Sequence, residues 1–164
     1  MAGVPVIDIS KDPELVSKEI DQACKEWGFL VVSGHGISEN LIDKMFSVSK
    51  NFFDQPQVYK DQFNKADIGR GYYALRKKAL ARTYGDAEAP ADEKESFTSG
   101  QEVVSGDPYY FTPEAQGHFN KNIYPNVDME QVYKEYNIAC KLICDKILEL
   151  LHCPLISDKP ISTL

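Results

Sequence analysis

The chain has 164 residues, 43% of them hydrophobic, which suits one globular domain and excludes a disordered one. A formal net charge of -7 excludes bulk attraction to nucleic acid or to an anionic membrane, because both need positive surface charge, and leaves a small molecule or a protein as the expected partner. The start, "MAGVPVIDIS", has no basic leader, and no run of ~18 apolar residues occurs, so a soluble, cytoplasmic chain is expected.

"VPVIDI" is rich in β-branched residues and reads as a short strand, with Pro5 tolerated near its beginning. Asp12 and Pro13 suit the cap and first position of a helix, and Leu15, Val16, Ile20, Ala23, Cys24 and Trp27 recur at helical spacing until Gly28. "FLVVS" shows no polar alternation, which predicts a strand buried on both faces. His35 follows between two glycines, where it could be a metal ligand, a base or a turn residue. Ser38 is placed to cap a second helix, whose apolar stripe is Leu41, Ile42, Met45, Phe46, Ser49, Phe52 and Phe53, and "DQP" ends it.

Residues 86 to 113 are rich in glycine, proline and acids, with weak periodicity, and predict loop with one or two short extended pieces. Only two or three short strands are expected in all. Asp128 with Gln131 resembles a capping box, and Val132, Tyr136, Ala139, Cys140, Ile143, Ile147 and Leu151 form a long helical stripe. Of the four cysteines, Cys24, Cys140 and Cys144 lie in such patterns and Cys153 follows the last one; buried, unpaired thiols in a reducing compartment are expected.

Cys140, Cys144, His152 and Cys153 offer four zinc-ligating side chains, but the stripe around them is ordinary and no second short Cys pair follows. The run "GRGYYALRKKALAR" holds Arg70, Arg76, Lys77, Lys78 and Arg82 without an acid, and a run of this kind is most simply a solvated face.

"VPVIDIS", "ACKEWGFLVVSGHGIS", "LIDKMFSVSKNFFDQP", "RGYY", "DEKESFTSG" and "YPN" together resemble the N-terminal region of iron(II)- and 2-oxoglutarate-dependent dioxygenases of the isopenicillin N synthase-like group. The resemblance covers residues 3 to 151. It implies an α+β fold: a strand-helix-strand-helix support region plus a long terminal helix, lacking most of the double-stranded β-helix, or jelly-roll, that completes the family. The domain would be 1–152, with 153–164 a divergent tail.

In the family, His-x-Asp and a distant His hold iron(II), and Arg-x-Ser grips 2-oxoglutarate. Two residues beyond His35, His118 and His152 stand Ile37, Asn120 and Pro154, none of them a carboxylate. No catalytic or metal-ligating residue is therefore expected here, and no cofactor for this chain alone. The resemblance also implies that His35 belongs to a supporting turn, that Glu95 and Phe97 are structural, and that Arg70 and Tyr73 would meet a carboxylate-bearing substrate in a complete enzyme.

The functional expectation is the N-terminal portion of such an oxygenase, inactive alone and complete only with the missing jelly-roll region. The alternative is a non-catalytic protein-binding module derived from the family. Apolar helix faces left uncovered would favour self-association.

Overall fold

The computed structural model describes residues 3–76, 84–85, 87–88 and 90–157, with the backbone alone for 66 and 152–157. Lys77, Lys78 and Arg82 of the basic run lie outside the described residues, as do the side chains of His152 and Cys153. The chain divides into two compact units, residues 1–40 with 136–164, and residues 41–135.

In the first unit, β1 (Val6–Asp8) and β2 (Val31–Ser33) pair in parallel with Val6 opposite Val31, and α1 (Pro13–Glu26) connects them. Helix α1 starts as its sequence suggests. The Asp12 carboxylate accepts from the amides of Glu14 and Leu15 at 3.0 and 3.2 Å, with Pro13 in the first turn where no amide is needed. Gly28, at φ +68°, lets the chain turn away after Trp27.

Ile7, Ile9, Val16, Ile20, Ala23 and Leu150 form the core of this unit, joined by Leu30, Val32, Ile143 and Leu151. Ile20 is fully buried, and such burial contributes about 2 kcal/mol per side chain. The expectation that "FLVVS" is buried on both faces fails here. Leu30 and Val32 meet the core, but Phe29 is 75% and Val31 50% exposed, because among the described residues only one face of the two-stranded sheet is covered.

The second unit contains most of α2 (Glu39–Phe53), α3 (Gln57–Asp61) and the antiparallel sheet β3 (Asn64–Lys65), β4 (Arg70–Tyr73) and β5 (Ser96–Thr98). The described strands thus number five rather than two or three, each only two to four residues long. Two 3-10 turns, Pro108–Phe111 and Pro113–Ala115, punctuate the long loop that follows.

The core here is aromatic. Phe52 meets Phe53, Phe63, Tyr72 and Phe97 edge-on at centroid distances of 5.1 to 6.0 Å. Such pairs add about 1 kcal/mol each beyond their buried area. Met129 and Tyr133, from the first turns of the last helix, close the cluster.

That helix is α4 (Val127–Ser157), and its start differs from the expected capping box. Its cap is Asn126, whose Oδ1 accepts from the Met129 amide at 2.9 Å; Asp128 already lies inside the helix. It also runs beyond residue 152, through Pro154. Cys24 and Cys144 are exposed rather than buried, and Cys140 is half-buried, since each sits at the margin of its stripe. Phe46 on α2 is likewise 73% exposed. No helix among the described residues is long and apolar enough to cross a membrane.

Candidate functional site

The polar chemistry of the second unit gathers at β4. Gly71 explains how: its φ of +75° suits glycine alone, and a Cβ there would lie 2.1 Å from the Phe63 carbonyl. The close approach lets the Tyr72 amide donate to that carbonyl at 2.8 Å and sets Arg70 and Tyr72 in buried positions.

Arg70 is a buried cation whose partners are carbonyls. Its guanidinium donates to the backbone oxygens of Gly69, Gln101, His118 and Asn120 at 2.8 to 3.4 Å. Gly100 packs against it, since a Cβ there would come within 3.0 Å of Nη2. Two asparagines extend the clamp. Asn120 donates to the Ile68 and Gly117 carbonyls, and Asn122 exchanges a reciprocal pair with the Gly100 backbone at 2.7 and 2.9 Å.

Four of the five guanidinium N–H groups are thus engaged, three of them holding the segment from Gly100 to Asn122 and one the adjacent Gly69 carbonyl. To grip a carboxylate with two of them, Arg70 must release at least one carbonyl. Tyr73 stands half-buried at the other end of the four-residue strand, so the structure places both residues suggested for substrate contact on β4 but at its opposite ends.

Between α3 and β4 lies a cluster that the sequence did not reveal. Lys60 is 6% exposed, and its ammonium donates to Glu95 at 2.7 Å and to the Phe53 carbonyl at 3.2 Å. Tyr72 donates its phenolic hydrogen to the same Glu95 oxygen at 2.5 Å, and the Gln57 amide reaches the Tyr72 oxygen at 3.2 Å. Burial alone would raise the Glu95 carboxyl, but the hydrogen bonds from Lys60 and Tyr72 outweigh it and hold the group below its ordinary 4.5. The Glu95 hydrogen bond pushes Lys60 above 10.5, and desolvation pushes Tyr72 above 10.0.

At neutral pH this is an ion pair reinforced by the Tyr72 hydroxyl on the same Glu95 oxygen, a brace between α3 and the start of β5. Glu95 therefore holds structure, and Phe97 packs into the aromatic cluster. No spacing marks a buried lysine in "QVYKD"; its partner is 35 residues away.

Of the three histidines, His35 and His118 have described side chains. His35 Nδ1 accepts from the Ile37 amide at 3.1 Å, which places its ring hydrogen on Nε2, and Gly34 and Gly36 both take positive φ around it. His118 lies in the clamped loop. Among the described residues, no group of three or more His, Cys, Asp or Glu side chains could hold a metal ion. The described residues do not fit the two imidazoles and one carboxylate that a non-haem iron centre needs.

Comparison with known proteins places this scaffold. Residues 4–126 match the family described as non-haem dioxygenase in morphine synthesis, N-terminal. The chain belongs to that family. It is the N-terminal domain of 2-oxoglutarate/iron(II) oxygenases, as the resemblance implied. The chain is 30% identical over 141 residues to 1-aminocyclopropane-1-carboxylate oxidase of Dictyostelium mucoroides, an alignment covering 80% of this chain and 34% of that protein. It is 27% identical to flavonol synthase/flavanone 3-hydroxylase of Matthiola incana, covering 90% of this chain and 46% of the relative.

A solved 2OG-Fe(II) oxygenase family protein from Caulobacter crescentus shares the fold with a TM-score of 0.73 at 19% identity, over 92% of this chain and 48% of that one. The chain spans about a third to a half of the length of these relatives.

Proposed function

We propose that this chain is the N-terminal scaffold of a cytoplasmic iron(II)/2-oxoglutarate oxygenase whose complete form oxidises a small molecule, and that alone it does not turn over 2-oxoglutarate. What carries this is the family match over residues 4–126, in a chain spanning 34 to 48% of the relatives' lengths. The open side of β1 and β2 supports it. Phe29 and Val31 are residues suited to burial, and they are the surface a jelly-roll region would cover.

The relatives are named for unlike small molecules, an aminocyclopropane carboxylate and flavonoids, so the proposal extends to the reaction class. Substrate contact by Arg70 and Tyr73 belongs to the complete enzyme, and for Arg70 it requires the exchange of a carbonyl for a carboxylate.

The test is to load the chain anaerobically with iron(II), add 2-oxoglutarate and oxygen, and measure succinate. No succinate above a chelator control is expected. Metal-dependent succinate that disappears when His35 and His118 are both replaced by Ala would overturn the proposal.

A further inference from the structure

Among the described residues, strand β1 has a partner on one side only, β2. The Pro5 carbonyl accepts from the Val31 amide and the Ile9 amide donates to the Ser33 carbonyl, both at 3.0 Å. In a parallel ladder the backbone groups alternate in direction, so those of Pro5, Ile7 and Ile9 point to β2 and those of Val6 and Asp8 point away. The outward amides of Val6 and Asp8 and the Val6 carbonyl have no partner among the described residues; only the Asp8 carbonyl is used, by the Lys11 amide.

A cleft of about 330 Å³ runs along this unpaired edge. One wall is Pro5, Val6 and Ile7; the other is a single stripe of α1, made of Glu19, Gln22, Ala23, Glu26 and Trp27. No residue of β2 lines it, which places it on the free side of β1. Its floor is apolar, at the buried Ile7 and Ala23, and the two ends of its α1 wall carry carboxylates, Glu19 and Glu26. Glu19 and Glu26 are two helical turns apart, roughly 10 Å, against roughly 13 Å for residues i and i+4 of an extended strand.

We propose that this edge is a docking site for an extended segment of a partner protein, added as a strand beside β1, with a basic, an apolar and a basic residue at alternate positions facing α1. The backbone of the segment satisfies Val6 and Asp8, its apolar side chain rests on Ala23, and its two cations reach Glu19 and Glu26. The charge of the groove chooses the sign of the partner, and the open ladder chooses its conformation.

Trp27 is the only tryptophan in the chain and lines the groove, so its emission reports occupancy. The full chain is titrated with acetyl-Lys-Thr-Val-Thr-Lys-amide, with the same peptide carrying Glu for Lys, and with a version N-methylated at alternate amides. A saturable change in Trp27 emission is expected with the basic peptide, and binding at least tenfold weaker with the other two. Replacing the two exposed acids together, Glu19→Lys with Glu26→Lys, should reverse the preference between the basic and acidic peptides. No saturable change, or equal binding of the N-methylated peptide, overturns the proposal. So does a Trp27 change that follows the chain's own concentration together with a doubled mass in sedimentation, which would assign the edge to a second copy.

Discussion

The hydroxyl of Ser17 donates to the backbone carbonyl of Leu150 at 2.6 Å, with both residues buried. In an ordinary helix that carbonyl would accept from the amide four residues on. Position 154 is proline, which has no amide hydrogen, and α4 continues through it. A hydroxyl on α1 supplies the donor that the proline removes. Ser17→Ala should therefore cost about 1–3 kcal/mol, the cost of leaving a buried carbonyl unpaired. The check is a double-mutant cycle by urea denaturation, in which the Ser17→Ala loss is measured with and without Pro154→Ala. It should shrink to under about 1 kcal/mol when the amide is restored.

The Lys60, Glu95 and Tyr72 brace predicts a specific pH profile. Glu95 has a depressed pKa, so its contribution is present above its ordinary 4.5 and is lost as pH falls toward and through the folded value. Lys60 is raised, so its contribution is present below 10.5 and is lost as pH rises through the folded value. Glu95→Gln strips a buried ammonium of its counter-charge and should cost about 3 kcal/mol at neutral pH. The stability difference between the native chain and the variant should be flat between about pH 5 and pH 10 and shrink on both sides of that window. Chemical denaturation across pH measures it.

The helices were legible because periodicity and caps are local. Asp12 with Pro13 marks the start of α1, and the stripe from Val132 to Leu151 marks the body of α4. Asn126 was missed as a cap because Asp128 and Gln131 offered a competing pattern two residues later. The clamp and the brace were not legible, since Arg70 reaches carbonyls 31 to 50 residues away and Lys60 reaches Glu95, and no spacing rule encodes such pairs. The double-faced apolar pattern of "FLVVS" misled about burial here, and for an instructive reason: sequence records which faces suit burial, while exposure records which faces are covered.

Gly71 and Gly28 separate two kinds of glycine requirement. Both have positive φ, but a Cβ at Gly28 meets nothing within 4 Å, whereas at Gly71 it collides with the Phe63 backbone. Gly28→Ala should cost about 1 kcal/mol, the conformational penalty alone. Gly71→Ala should cost at least about 3 kcal/mol, because the strand must shift and the Tyr72 amide bond to Phe63 with it. Thermal or urea melts of the two variants give the comparison, and equal losses would mean that β4 moves freely around its glycine.

Arg70→Lys isolates the geometry of the clamp from its charge. Lysine keeps the cation but has a single compact ammonium, which cannot span four carbonyls contributed by Gly69, Gln101, His118 and Asn120. Hydrogen bonds to a charged group contribute about 1.5–3 kcal/mol each, and part of that loss is recovered by water entering the loop, so a net cost of about 2 kcal/mol is expected. The loss should be local. Amide exchange should accelerate from Gly100 to Asn122, where Asn120 and Asn122 depend on the same loop conformation, while the core of α1 with β1 and β2 keeps its protection. Exchange measured by mass spectrometry on peptides from both regions decides it. Uniform acceleration would mean that Arg70 sustains the global fold, and no acceleration would mean that the asparagines alone hold the loop and leave the guanidinium free to exchange a carbonyl for a carboxylate.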